Sequence, residues 1–183
     1  MNYFKHETAI VEKDAKIGDN TKIWHFAHIR ENTEIGNNCN FGKDVYIDFN
    51  VKIGNNVKIQ NGVSIWNGIT IEDNVFIGPN ACFVNDLYPR AKIWNEERLK
   101  KTLIKEGASI GANATILCNL EIGRYSLIGA GSVVTKNVPN YGIVVGNPAK
   151  LISYVCICGN KLKPFKDNLM ICDSCKKEID IKK

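Results

Sequence analysis

Four of the seven cysteines crowd the C-terminal end, as Cys156-Ile-Cys158-Gly and then Cys172-Asp-Ser-Cys175. Thirteen residues separate the two pairs, and Lys163-Pro-Phe-Lys-Asp-Asn between them reads as a hairpin turn that sets the pairs on facing knuckles. Two close thiolate pairs form the ligand set of a tetrahedral structural zinc. The first pair is spaced by one residue where two is usual, which tightens the chelate. The alternative is four unbound thiols; disulfides are disfavoured in a reducing compartment. Cys39, Cys82 and Cys118 have no spacing that pairs them with a base, and Cys39 is expected to be a small buried hydrophobe.

The chain has three histidines, His6, His25 and His28, and a metal hydratase on a six-residue-repeat tube would need three, drawn from two subunits. His25 and His28 stand at the third and sixth places of one six-residue unit, Ile23-Trp-His-Phe-Ala-His28, so they point different ways and a shared metal is not expected.

That six-residue unit is the element that positions everything else. A bulky apolar residue recurs every sixth position from Val11 through Ile17, Ile23 and Ile29 to Phe83, and resumes as Ile104, Ile110, Ile116, Ile122, Ile128 and Val134. The fifth place is small or apolar, and the fourth is Asn, Asp or Gly in all but two of nineteen units, the exceptions being Phe26 and Tyr125. Asn, Asp and Gly tolerate left-handed backbone best, so each unit reads as a short strand ended by a corner. A period of six fits neither an amphipathic helix nor an alternating strand, and it excludes a sandwich of irregular strands. The expected fold is all-β: a parallel β-helix of hexapeptide repeats, with three units per triangular coil and about 4.8 Å of rise per coil.

The column loses phase once. Phe83 to Ile104 is 21 residues, so about fifteen extra residues leave the tube after Asn85, in a loop of about 86–103. Its aromatic, Pro and Arg content predicts an ordered lid. The domains expected are 1–152 for the β-helix and 153–183 for a small Cys-rich, zinc-ribbon-like appendix. Helix is expected only at 95–103 and after Pro148.

The net charge of +5 is scattered, which suits a small anionic substrate and argues against nucleic acid. No long apolar stretch or cleavable hydrophobic N-terminus is seen, so no membrane span and a cytoplasmic location are expected. His28 could serve as a general base, but coil arithmetic stacks it below Tyr46, Ser64 and Cys82, about 14 Å down the axis from Cys82. Direct proton transfer needs about 3 Å. The far end of an extended acceptor suits His28 better. Trp24 and Trp66, at second places, are expected to pack between subunits.

Taken together, Trp24-His-Phe-Ala-His28-Ile, Asn61-Gly-Val-Ser-Ile-Trp66, Phe83-Val-Asn85-Asp86-Leu-Tyr-Pro-Arg90, Gly129-Ala-Gly-Ser-Val-Val-Thr-Lys136 and Gly146-Asn147-Pro148-Ala149-Lys150 resemble the nucleotide-sugar N-acetyltransferases of the left-handed β-helix superfamily. The similarity runs over 11 to about 155. Within that family the enzymes acting on UDP-2-acetamido-3-amino-2,3-dideoxy-glucuronate resemble it most, some of which also end in Cys-x-Cys-Gly. Those acting on dTDP-3-amino-3,6-dideoxyhexoses share the Asn-Asp-x-x-Pro-Arg loop, and a silent scaffold is the non-catalytic alternative. The resemblance implies a left-handed coil, a homotrimer, acetyl-CoA as co-substrate and a nucleotide-sugar acceptor for glycan biosynthesis. It implies that Asn85 lies near the acceptor amine as the catalytic group, with no side-chain base. Substrate contacts are expected from His28, Arg30, Asp86 and Arg90, the arginines suiting pyrophosphate or a sugar carboxylate. Gly129, Ala130, Lys136, Asn147, Pro148 and Lys150 match the region that holds coenzyme A in the family, and Cys156, Cys158, Cys172 and Cys175 would hold the zinc.

Overall fold

Residues 2–181 are described by a computed structural model. Two-residue strands stack in parallel into three faces of a coil. A nine-stranded face runs from Phe4–Lys5 to Leu127–Ile128, then adds Gly142–Gly146 and Ala149–Tyr154. A seven-stranded face runs from Ile10–Val11 through His28–Ile29, Tyr46–Ile47, Ser64–Ile65 and Cys82–Phe83 to Val133–Val134. A six-stranded face runs from Lys16–Ile17 to Glu121–Ile122.

Up to the inserted loop each strand of the coil pairs with the one eighteen residues on, as Lys16 with Glu34 and Ile17 with Ile35, and the last step, Leu127 to Ile143, is sixteen. The first-place residues fill the interior: Ile23, Ile29, Phe41, Ile47, Ile59, Ile65 and Ile77 are all fully buried. Fifth-place Cys39, Val45 and Val51 close the corners from inside, and Cys39 is buried as expected. Fourth-place residues take positive φ in every unit but those of Asp86 and Asn137, and they do so at the two compositional exceptions, Phe26 at 57° and Tyr125 at 52°. Left-handed backbone costs an ordinary residue roughly 1–2 kcal/mol. At Tyr125 neighbours offset it: its hydroxyl donates to Glu106 Oε1 at 3.0 Å, and its ring stacks on Tyr141 with centroids 5.7 Å apart. A ladder that the sequence reading did not include runs along the third places. Asn37 Oδ1 accepts from the Asp19 backbone N–H, Asn55 Oδ1 from Asn37 and Asp73 Oδ1 from Asn55, at 2.7–2.9 Å.

After the inserted loop the pairing jumps. Ile71 faces Ile104, 33 residues away, where eighteen is the coil's own step, so fifteen residues are extra. The loop is hardly helical. Only Glu96–Arg98 forms a 3₁₀ turn, so the helix expected at 95–103 shrinks to three residues. The helix expected after Pro148 is a strand. Ala149–Tyr154 turns back across a cis Asn147–Pro148 bond and pairs antiparallel with Gly142–Gly146. An open sheet edge needs partners for its backbone groups, and this hairpin supplies them at the end of the nine-stranded face. Beyond it Lys163–Lys166, Leu169–Ile171 and Glu178–Asp180 form a small antiparallel sheet. Its hairpin turns at Asp167, which adopts φ of 50°, within the segment read as a turn. Cys156, Leu162, Cys172 and Ile179 form its own small core, against which Tyr141 and Tyr154 pack.

Candidate active site

The stacking brings the predicted residues into one corner column beside the seven-stranded face. His28 is in register with Tyr46, Tyr46 with Ser64 and Ser64 with Cys82. The corner following these strands carries Asn67 on one coil and Asn85 on the next. Asn85 Nδ2 donates to the Asn67 carbonyl at 3.3 Å, and the Asn85 carbonyl accepts from the Lys100 N–H at 2.9 Å, so the loop's return leg is tied to its root. With Nδ2 spent on a carbonyl, the Asn85 side-chain oxygen is left as an acceptor without an intramolecular partner among the described residues.

Asp86, one residue on, is engaged within the loop. Its carboxylate accepts from Arg98 Nε at 2.9 Å and Nη2 at 3.4 Å, and from the Tyr88 N–H at 2.9 Å. The hydrogen bond from Arg98 holds the Asp86 pKa below the usual carboxylate range and raises that of Arg98 in turn. Asp86, Leu87, Tyr88, Asn95 and Arg98 wall a cleft of about 420 Å³. Arg90 is exposed and donates only to the Pro89 carbonyl, at 2.8 Å, so its charge is available to an anion.

Lower in the column the side chains engage one another. His28 Nε2 lies 2.6 Å from Glu12 Oε1. That hydrogen bond is the main reason the Glu12 carboxyl is held below its usual pKa. Arg30 binds both Glu31 oxygens at 3.0 and 2.8 Å, reaches Asp48 Oδ1 at 3.1 Å and lies 5.0 Å from the Phe49 ring centre. Arg30 is therefore committed to protein carboxylates. Tyr46 donates to Asp48 Oδ1 at 3.2 Å, and burial is the first reason its phenol pKa is raised. His25 stacks on His6 with centroids 3.5 Å apart, away from His28, as the spacing demanded.

At the far end of the coil, Lys136, Pro148 and Lys150 meet around a cavity of about 300 Å³, with Val134, Thr135 and Leu151 beside them. Gly129 and Ala130 lie on the adjoining coil. A Cβ at Gly129 would come within 2.6 Å of Val145 Cγ1, so a larger residue there would push the terminal hairpin off the coil. Asn147 sits at the hairpin's turn between the two strands that flank this cavity. Two lysines at the mouth of an apolar-floored cavity suit a phosphate-bearing cofactor.

In the appendix the sulfurs of Cys156, Cys158, Cys172 and Cys175 all lie within 4.8 Å of one another, with Cys156–Cys175 and Cys158–Cys172 at 3.5 Å. The edge of a tetrahedron with 2.3 Å zinc–sulfur bonds is about 3.8 Å, so this donor set fits zinc. Hydrogen bonds from Asn160 draw the Cys158 thiol down to about 6, while burial pushes Cys156 up to about 12.

The description "bacterial transferase hexapeptide (six repeats)" matches residues 14–48, 50–84 and 101–136, more than half of the chain. The dTDP-3-amino-3,6-dideoxy-alpha-D-galactopyranose 3-N-acetyltransferase of Aneurinibacillus thermoaerophilus is 52% identical over 169 residues, covering 92% of this chain and 86% of that protein. The chain belongs to the nucleotide-sugar N-acetyltransferases of the hexapeptide-repeat, left-handed β-helix family.

Two solved acetyltransferases share the fold. GDP-perosamine N-acetyltransferase from Caulobacter crescentus, a structure with CoA and GDP-perosamine, aligns at a TM-score of 0.58 with 18% identity, over 83% of this chain and 57% of that one. The acetyltransferase domain of PglB from Neisseria gonorrhoeae, with acetyl coenzyme A, aligns at 0.55 with 19% identity, over 82% and 57%. This N-acetyltransferase thus spans little more than half the length of those two proteins. Among the described residues, no helix is long and apolar enough to cross a membrane.

Sequence reasoning missed Glu12, Asp48, Asn67 and Arg98. The first two were within reach: Glu12, Arg30 and Asp48 are spaced by eighteen, so one column of this N-acetyltransferase alternates in charge. Asn67 acts through its backbone and Arg98 lies in the loop, where period arithmetic gives no partner.

Proposed function

We propose that this chain transfers the acetyl group of acetyl-CoA to the 3-amino group of a dTDP-linked 3-amino-3,6-dideoxyhexose. The sequence reading put the UDP-linked glucuronate derivative first; the 52% identity with a dTDP-sugar enzyme over nearly the whole chain favours the other acceptor. The observation that carries the chemistry is the fixed amide of Asn85 at the root of the loop, with its oxygen free to accept one hydrogen of a sugar amine. An amine flanked by electron-withdrawing C–O and C–N bonds is less basic than a lysine-type amine near 10.4, so part of it is neutral at physiological pH. Held in line, its lone pair attacks the thioester carbon, the C–S bond breaks and the coenzyme leaves as thiolate, which the proton released from nitrogen neutralises. Positioning alone supplies several kcal/mol of such a barrier, and a backbone N–H of a neighbouring coil would hold the oxyanion.

Coenzyme A would lie along the cavity bounded by Lys136, Pro148 and Lys150, its phosphates on the lysines, with Gly129, Ala130 and Asn147 at its margin. Arg90 would meet the pyrophosphate, and His28 the far end of the acceptor. The active assembly in this reading is a homotrimer. Exposed Phe4, Ile10, Trp24 and Trp66, and the loop's Tyr88 and Trp94, are apolar surface that a neighbouring subunit would cover. The cytoplasm is the proposed location, and the four C-terminal cysteines would hold a structural zinc. The test is release of coenzyme thiol from acetyl-CoA with dTDP- and UDP-linked 3-amino sugars. Turnover several-fold faster with the dTDP sugar is expected; turnover with neither would overturn the reading, and preference for the UDP glucuronate would restore the first acceptor.

A further inference from the structure

We propose that Asp48 is the positioning residue for Asn85, acting through the backbone of Asn67. This rests on the assignment of Asn85 to the acceptor amine. Asp48 sits two coils below Asn85 and is only 7% exposed. A carboxylate removed from water must be paired and fully hydrogen-bonded, or it is costly. Asp48 meets that demand. Oδ1 accepts from Arg30 Nη1 at 3.1 Å, Tyr46 Oη at 3.2 Å and the Phe49 N–H at 3.0 Å. Oδ2 turns the other way and accepts from the Asn67 N–H at 3.2 Å. Asn67 then presents its carbonyl to Asn85 Nδ2 at 3.3 Å.

The relay runs from a charge-balanced buried anchor, through one residue's backbone, to the amide proposed to face the amine. The coil alone does not fix that residue. Asn67 precedes Gly68, whose φ of 93° only glycine takes at little cost, so the chain turns sharply just after the Asn67 carbonyl. Asp48 clamps the N–H before that turn, and the Arg30 guanidinium pairs with the same carboxylate at 3.1 Å. Arg30, already bound to Glu31 and Asp48, is then part of the anchor and not a ligand of substrate. Rotation of the 67–68 carbonyl would release Asn85 Nδ2 and let the side-chain oxygen swing off the amine.

The experiment is a double-mutant cycle of Asp48→Asn and Asn85→Ala, measuring kcat and KM for a dTDP-3-amino-3,6-dideoxyhexose at saturating acetyl-CoA. Asp48→Asn is expected to lower kcat at least tenfold and move KM less than about twofold. In the Asn85→Ala background it should change kcat by less than about twofold, because residues acting as a unit are not additive. Multiplying effects, or a loss confined to KM, would overturn the inference. Should Asp48→Asn fail to fold, Tyr46→Phe removes one of the same carboxylate's donors and is read in the same cycle. Its kcat loss must also vanish in the Asn85→Ala background, and if it persists the inference falls. A wild-type protein without turnover overturns the proposed function and this inference together; wild-type turnover with multiplicative effects removes the inference alone.

Discussion

The Glu12 carboxylate and the His28 imidazole meet at 2.6 Å across one coil, and Arg30 approaches the same carboxylate at 4.0 Å. This pairing assigns His28 a partner other than an acceptor amine. It predicts that His28→Ala raises KM for the nucleotide sugar several-fold and leaves kcat within about threefold. A kcat loss of a hundredfold in steady-state kinetics would instead make His28 a base.

The same pair has a pH signature. The folded pKa of Glu12 lies below its unfolded value because His28 binds its charged form, so its contribution to stability is present above the unfolded carboxylate pKa. It fades as pH falls through the lower, folded pKa. In thermal unfolding scans the Tm difference between wild type and Glu12→Gln should be present at neutral pH and shrink as the pH falls through and below the ordinary carboxylate range. A difference that grew on acidification would contradict the pairing.

Asn85→Ala removes the acceptor oxygen and touches none of the interior column. kcat should drop about a hundredfold, of the order seen when one transition-state contact is deleted. The melting temperature should fall by no more than a few degrees.

At the loop, Arg98→Ala leaves Asp86 without its main partner. The pair lies in the loop and outside the interior column, so global stability should hardly change. Trypsin should nevertheless cut sooner after Arg90 or Lys92, and KM for the acceptor should rise about tenfold. Mass spectrometry of the fragments and initial-rate kinetics check the two.

The two corners that break the composition rule should answer differently to the same change. Phe26 is 57% exposed, and asparagine tolerates its left-handed backbone better, so Phe26→Asn should gain roughly 0.5–1 kcal/mol in denaturant unfolding of the isolated subunit. Tyr125→Asn relieves the same strain but forfeits the Glu106 hydrogen bond and the Tyr141 stack, so it should be neutral or destabilising.

Much of this architecture was written in the spacing of Ile17 to Phe83. A buried first-place residue and a left-handed fourth-place residue repeat so often that the period, the fifteen-residue insertion and the stacking of His28, Tyr46 and Ser64 follow by arithmetic. The arithmetic stops where residues lack an eighteen-residue neighbour. Arg98 finds Asp86 only because the loop folds back, and no period reports that. Ala149–Tyr154 was misread as helical because Pro148 often begins a helix, whereas here an open sheet edge recruits the segment. Arg30 was expected to contact substrate although Glu31 stands beside it and Asp48 lies one eighteen-residue step on; spacing gives the neighbours but not that both carboxylates close on one guanidinium.

The 33-residue pairing of Ile71 with Ile104 carries a consequence for how such a molecule can vary. Within the unbroken run of eighteen-residue steps from Ile17 to Phe83, inserting or deleting one amino acid would shift the period and carry every later isoleucine off the interior. Between Asn85 and Thr102 the length is unconstrained, because the next rung re-forms whatever lies between. Such a rod can therefore change length at this junction and keep its stack, because Ile71 and Ile104 pair whatever number of residues separates them.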